Sequence, residues 1–324
     1  MIYEYAIEPE FLLELTDKAD LANSLRRSLQ TGAACVVAGY PEKLGEHAYA
    51  VAHSELSKAT DTKHKAKWQK RMHQVAELAA SFADVTTRRY GGSQWKQSFV
   101  EEHARFPFYG ILSNRESTSN TLPLKNLTWL RGEECHLFNC PRQCTVERNS
   151  TELANLLKPL LQNAAEIRFV DPCFFAEPRY KEAYDAYFHL IAQTNGVRSP
   201  CIREIQVICS VGKRGHSEAY FKQKCKELAK IIPDGIKLYI HRISEIPGGQ
   251  EIHNRYILTD IGGVFLGYGT DPSRSNPKSH DDIAILERKP FIKWREAYKP
   301  HSHIFDWSEP PVIVSKQEGL VSGI

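Results

Sequence analysis

The chain has 324 residues, 42% of them hydrophobic and 25% charged, which is typical of a globular protein. Its formal net charge of +3 permits contact with nucleic acid but is below the strongly basic balance of a dedicated binder. No apolar run approaches the roughly 20 residues that cross a bilayer, and the acidic N-terminus is unlike a signal peptide, so we expect a cytoplasmic protein without a transmembrane segment.

The first 92 residues are predicted to form a mainly helical N-terminal region. Leucines recur at near-helical spacing at Leu12, Leu13, Leu21, Leu25 and Leu29. Further helices are expected over 41–56 and 63–83, and the pair Gly91-Gly92 ends the pattern. Residues 93–150 are predicted to be a mixed connecting region, with short strands over 106–112 and 127–131.

Residues 151–324 show helical segments alternating with short apolar runs. Helices are expected over 152–163, 178–192 and 217–232, and strands over 167–171, 205–209, 236–240, 253–259, 264–266 and 283–286. Strands separated by helices indicate an α/β sandwich with a mixed sheet. The expected fold class is therefore α/β.

The most informative motif is H-x-R-x-x-x-x-D, formed by His253, Arg255 and Asp260, followed by a glycine-rich turn that includes Gly269 and Asp271. Within a strand, His253 and Arg255 would point to the same face, because side chains alternate with a period of two. An imidazole can attack phosphorus or move a proton, and a guanidinium can hold phosphate oxygens with two hydrogen bonds. The motif therefore predicts a phosphate site.

The order of elements before this motif, together with the motif and the turn, resembles one half of the phospholipase D superfamily over roughly residues 165–290. That family usually has H-x-K-x-x-x-x-D and then G-S-x-N. The resemblance implies a mixed-sheet sandwich that hydrolyses phosphodiesters without a metal or another cofactor. One histidine forms a phosphohistidine, a second protonates the leaving oxygen, and the aspartate of each motif orients its histidine or a neighbour.

One complete motif supplies one histidine, so the resemblance requires a second from elsewhere. A second copy of the chain would supply it in a homodimer with a composite site. Within the chain, His103 and Arg105 repeat the H-x-R spacing, although Gly110 stands where the aspartate would be. The alternative for these two residues is a helix C-terminus, where basic residues are favoured.

Other residues near the motif are candidates for substrate binding. Asp171 follows an apolar run, at the strand end where α/β folds place ligands, although an aspartate there also starts turns. Glu251 precedes His253 by two residues and is a candidate partner for it. Asn254, Gly269 and Asp271 complete the candidate set.

Two features favour ordinary structural interpretations. The cysteines Cys135, Cys140 and Cys144 lack the paired spacing of a zinc site, and we expect no metal. The basic segment from Lys58 to Arg71 is more typical of a solvated helix face than of a phosphate-binding surface, and Arg88-Arg89-Tyr90 is a smaller basic cluster of the same kind.

The leading hypothesis is a metal-independent nuclease (an endonuclease) that acts on DNA through a phosphohistidine, with a helical N-terminal region that recognises substrate or a partner protein. Two alternatives stay open. The first is a non-catalytic module that binds phosphate on lipid, nucleotide or nucleic acid, because Arg255 replaces the usual lysine and is not an equivalent general acid. An arginine-bearing version of the motif is similar to the lipid-binding module of some MIT-domain proteins. The second alternative is an effector of a microbial defence system.

Overall fold

A computed structural model describes residues 2–29, 35–39, 43–82, 85–86, 101–104, 108–113, 124–125, 141–195, 201–211, 216–273, 276 and 279–321. These fall into two compact units, an N-terminal unit over residues 2–140 and a C-terminal unit over 141–324. Both units combine helices with a β-sheet, so the predicted α/β class is confirmed. Within the described residues, no helix is long and apolar enough to cross a membrane.

The N-terminal unit contains a parallel sheet with strand order β3-β2-β1-β4-β5. The strands are β1 (Tyr3–Ile7), β2 (Cys35–Ala38), β3 (Val85–Thr86), β4 (Gly110–Leu112) and β5 (Leu124–Lys125). The helices are α1 (Pro9–Leu15), α2 (Ala19–Ser28), α3 (Leu44–Lys58) and α4 (Thr62–Ala80).

The prediction of a mainly helical region over residues 1–92 was incomplete, because it missed β1, β2 and β3. All four residues of β2 are buried. A short strand that is buried on both faces shows no alternation of polar and apolar residues, which removes the pattern that identifies strands. The strand predicted over 127–131 and the cluster Arg88-Arg89-Tyr90 lie outside the described residues.

The C-terminal unit is built on a mixed sheet with the order β15-β14-β9-β8-β7-β10-β11-β12-β6, and β13 pairs with β9. Strands β7, β8 and β9 are parallel, and the other pairs are antiparallel. The strands are β6 (Gln143–Glu147), β7 (Ile167–Val170), β8 (Glu204–Ser210), β9 (Lys237–Glu245), β10 (Arg255–Thr259), β11 (Gly263–Leu266), β12 (His280–Ile285), β13 (Phe305–Asp306), β14 (Val312–Ser315) and β15 (Gly319–Val321).

Helices cover both faces of this sheet. They are α5 (Ser150–Asn163), α6 (Pro178–Asn195), α7 (Glu218–Lys226), which continues as a 3-10 turn (Glu227–Lys230), and α8 (Arg288–Ala297). On one face, the ring of Phe169 in β7 lies 4.9 Å from that of Tyr184 in α6. On the other face, the ring of Tyr256 in β10 lies 5.3 Å from that of Trp294 in α8.

Strand directions bring several loops to one end of the sheet. Val170 at the end of β7 pairs with Tyr256 near the start of β10. The carboxyl ends of β7, β8, β9 and β11 therefore lie at the same end as the starts of β10 and β12. We call this the carboxyl end of the sheet, and it is where α/β folds usually bind ligands.

Candidate functional site

Asp171 is the buried centre of the carboxyl end. It follows β7 directly and is 0% exposed. Its Oδ2 accepts hydrogen bonds from the backbone N–H and the hydroxyl of Thr270, at 3.1 and 3.2 Å. Its Oδ1 accepts the backbone N–H of Cys173 at 2.9 Å. Asp171 therefore starts a turn, as one of the two sequence interpretations predicted, and joins the loop after β7 to the loop after β11.

Arg255, the first residue of β10, extends its side chain toward Asp171. The Arg255 Nε lies 3.9 Å from Asp171 Oδ1, and its side chain is 22% exposed. Arg255 Nη2 lies 3.8 Å from the sulfur of Cys173. Within the described part of the chain, Arg255 Nε is buried without a hydrogen-bond partner. The guanidinium is thus held beside Asp171, and donation to an oxyanion would have to come from its Nη groups, because Nε is out of reach of a ligand.

His253 lies just before β10 rather than within it, so the prediction of a strand over 253–259 was wrong at its start. The partner strands end too early to pair with it, because Val170 of β7 pairs with Tyr256 and Leu266 of β11 pairs with Arg255. His253 is exposed.

The side chain that contacts His253 is that of Asn254. His253 Nδ1 lies 3.3 Å from Asn254 Oδ1, and Asn254 Nδ2 donates to the Tyr256 hydroxyl at 2.9 Å. The amide N–H₂ of Asn254 points toward Tyr256, so its oxygen faces His253 Nδ1. A tautomer with its hydrogen on Nδ1 would donate to this oxygen and would leave the Nε2 lone pair available. Glu251, the predicted partner of His253, is exposed near it.

Asp260 lies at the opposite end of β10 from Arg255. The strand has five residues, so the two residues are separated by roughly 17 Å. Asp260 Oδ1 accepts the backbone N–H of Ala165 at 2.7 Å and that of Glu166 at 3.0 Å. Burial raises the pKa of this carboxyl group. Asp260 therefore ties the end of β10 to the turn before β7 and is not brought together with His253.

Asp271 forms the second buried carboxylate of the site, with 2% exposure. It forms ion pairs with Arg179, the second residue of α6, and with Arg148, whose Nη2 is 4.0 Å from its Oδ1. Burial raises the pKa of Asp271 to about 6, and the nearby charge of Asp171 acts in the same direction, against the two arginines. A third buried carboxylate, Asp281, accepts the backbone N–H groups of residues 267 and 268 at 3.1 and 3.2 Å.

Gly269 occupies a position that only glycine fits. Its φ is +136°, in a region that residues with a side chain rarely adopt. A Cβ there would lie 2.8 Å from Asp271 Oδ1, 3.0 Å from Asp171 Oδ2 and 3.8 Å from Arg255 Nε. The glycine therefore lets the turn after β11 approach both carboxylates and leaves space beside Arg255.

His103 and Arg105, the other predicted pair, belong to the N-terminal unit. His103 lies in a helical stretch over 101–104, and its Nδ1 accepts the backbone N–H of Phe108 at 3.2 Å. Arg105 lies outside the described residues. Of the three cysteines considered for zinc, Cys144 lies in β6, and Cys135 and Cys140 lie outside the described residues. The described ranges contain no cluster of three or more histidine, cysteine or acidic residues that could hold a metal ion.

The sequence analysis missed three residues at the carboxyl end. Arg148 directly follows β6, and Arg179 is the second residue of α6. His216 precedes α7, and its ring centroid lies 4.2 Å from that of Phe175 in the loop after β7. Their position in the sequence could have identified them as site residues, since each lies where a strand ends or a helix starts.

Replacement of Asp260 by alanine should destabilise the fold. Two backbone N–H groups would lose their acceptor, at a cost of about 1–3 kcal/mol in the free energy of unfolding. Asp260→Asn keeps an oxygen acceptor and should recover most of this loss. Urea unfolding of both variants measures the effect, and an alanine variant as stable as the wild type would contradict the assigned contacts.

Replacement of Gly269 by alanine should cost more stability than the same change at Gly248. Both glycines have a positive φ, but a Cβ at Gly248 meets nothing within 4 Å. Gly248→Ala should cost about 1 kcal/mol from backbone strain alone. Gly269→Ala adds the clash with two carboxylates and should cost at least about 2 kcal/mol. Equal losses in urea unfolding would show that the clash is absent.

The raised pKa of Asp271 should make the stability depend on pH between about 4 and 6. Its pKa is about 6 in the folded protein against an ordinary value of 3.8, so the folded state binds more protons than the unfolded state in this window. The free energy of unfolding should therefore fall as the pH rises through the window, by at most about 3 kcal/mol from this group. Asp271→Asn should lack this component, and unfolding curves with parallel pH dependence would contradict the prediction.

Comparisons with known proteins add no family to this description. No protein-family model matches the chain, and a search of curated proteins found no significant match. The resemblance to the phospholipase D superfamily therefore rests on the motif residues, and a function has to be argued from the geometry at the carboxyl end.

Proposed function

We propose that the protein is a phosphodiesterase of the phospholipase D type that cleaves DNA without a metal ion. The observation that carries the proposal is the Arg255 side chain, whose Nε is fixed 3.9 Å from Asp171 Oδ1 and which is 22% exposed. An exposed histidine, His253, lies two residues away. A cation and an imidazole at this position suit a phosphodiester.

In the proposed reaction, Arg255, His253 and Asn254 act from their positions in the structure. Arg255 binds the non-bridging oxygens of the phosphate and offsets the charge that develops on them. His253 Nε2 attacks phosphorus, while the Asn254 amide oxygen accepts a hydrogen bond from Nδ1–H and orients the ring. A bond forms between Nε2 and phosphorus as the bond from phosphorus to the leaving oxygen breaks. A second acid protonates that oxygen, and water then hydrolyses the phosphohistidine.

The second acid in this proposal is a histidine, and His216 is a candidate at the carboxyl end that the motif did not include. His216 packs on Phe175, two residues from Cys173, whose sulfur contacts Arg255. The other source is a second copy of the chain, which would make the active form a homodimer.

One observation favours a second candidate function, a module that binds phosphate without cleaving it. His253 contacts the neutral amide of Asn254, whereas the motif aspartate, Asp260, binds backbone N–H groups at the other end of β10. A histidine without a carboxylate partner is less strongly oriented and less stabilised as a cation. Arg255 would bind phosphate equally well in that case.

Cleavage of DNA in excess chelator separates the two functions. The wild type should cut an oligonucleotide under these conditions, and His253→Ala should cut at least about 100-fold more slowly while still binding it. Arg255→Ala should lose binding as well, because the phosphate contact is removed. His189→Ala is the matched control, since His189 is an exposed histidine on α6 outside the site.

The possible results of this experiment distinguish the two candidate functions. Binding that needs Arg255, with no cleavage by the wild type, supports the binding module. Cleavage that needs an added divalent metal ion, or cleavage unchanged in His253→Ala, contradicts the proposed mechanism.

A further inference from the structure

Tyr268 is an exposed aromatic residue on a rigid turn next to the site. Its side chain is 64% exposed, and it lies between β11 and the buried residues Thr270 and Asp271. Its backbone N–H donates to the buried carboxylate of Asp281 at 3.2 Å. Tyr268 contributes to the turn through its backbone N–H, so this hydrogen bond does not require a tyrosine at this position.

The ring of Tyr268 is supported on one side by Arg148. The Arg148 guanidinium carbon lies 5.0 Å from the ring centroid. Arg148 is itself held, because its Nη2 donates to the backbone carbonyl of Asp271 at 3.1 Å. Arg148 therefore fixes the ring by a cation–π contact, and the exposure of Tyr268 leaves the rest of the ring surface in water.

The backbone of Tyr268 lies near Arg255. A Cβ placed on Gly269, the next residue, would lie 3.8 Å from Arg255 Nε. Consecutive Cα atoms are 3.8 Å apart, so the Cα of Tyr268 lies within about 9 Å of that nitrogen. This is comparable with the span from the phosphate of a nucleotide to its base.

We propose that Tyr268 stacks on an unpaired nucleobase of the strand whose phosphate Arg255 binds, and that single-stranded nucleic acid is the preferred ligand. The inference rests on the proposed function, because it assumes a phosphate at Arg255. Stacking on a tyrosine tolerates any base and needs an open base face. Bases in a duplex are already stacked on their neighbours, and a lipid headgroup offers no aromatic face.

The charge around the ring fits the same ligand. Arg148 and Arg255 flank the turn that carries Tyr268, and their side chains are 12% and 22% exposed. Proteins bind single-stranded nucleic acid in this way, with aromatic rings stacked on the bases and basic residues along the phosphates. The exposed ring and the two arginines would therefore act on adjacent parts of one strand.

The inference can be tested by fluorescence anisotropy in the His253→Ala background, which keeps the oligonucleotide intact. The probes are a labelled single-stranded DNA, its duplex, and an abasic strand with the same number of phosphates. Tyr268→Ala should weaken binding to the single strand about tenfold and leave binding to the abasic strand unchanged. Tyr268→Phe should retain the affinity, because the stacking face remains. Tyr49→Ala removes a tyrosine of 46% exposure from the N-terminal unit and serves as the matched control.

The result separates this inference from the proposed function. If Arg255→Ala abolishes binding while Tyr268→Ala changes nothing, or weakens the single and abasic strands equally, the stacking inference is wrong and the phosphate site stands. If the protein binds none of the probes, both are wrong. A single strand that binds no more tightly than the abasic strand also overturns the inference.

Discussion

The buried carboxylate of Asp171 is the constraint on which the carboxyl end depends. A carboxylate removed from water is costly unless hydrogen bonds replace its hydration. Asp171 accepts four such bonds, two from Thr270, one from Cys173 and a longer one of 3.4 Å from the hydroxyl of Tyr180 in α6, so its donors lie in two loops and a helix. The loop after β7 and the turn after β11 are therefore held at fixed positions on either side of Arg255, and the geometry of the site follows from this buried group.

The carboxylates and arginines at this end are not matched one to one. Asp271 has two arginine partners, Arg148 and Arg179, while Asp171 is satisfied largely by neutral donors. Arg255 therefore faces a carboxylate at 3.9 Å that is already hydrogen-bonded elsewhere, and its charge is only partly offset. This uneven pairing leaves the positive charge at the exposed side of the cluster, where a phosphate can reach it.

The sequence predicts the C-terminal unit better than the site within it. Strands β7 and β8 and helices α5 and α6 lie within a few residues of their predicted positions, because each is a long or strongly apolar segment with a local pattern. The start of β10 was misplaced, since where a strand ends depends on where its neighbours end. Arg148 and Arg179 were missed for a related reason: they meet Asp271 across 123 and 92 residues, and no local spacing encodes such a pair.

With an arginine at position 255, the proposed catalysis depends on His253. A guanidinium keeps its charge and its planar set of donors in crowded, partly buried surroundings, where an ammonium is more easily neutralised. Beside Asp171 and Cys173 an arginine can bind a phosphate oxygen while its position stays fixed, but it gives up a proton far less readily than lysine. Any proton transfer and any covalent bond to phosphorus must then come from imidazole groups. Under the proposed function, binding at this site is set by Arg255, and turnover depends on how well Asn254 orients His253 and on whether a second imidazole reaches the leaving oxygen.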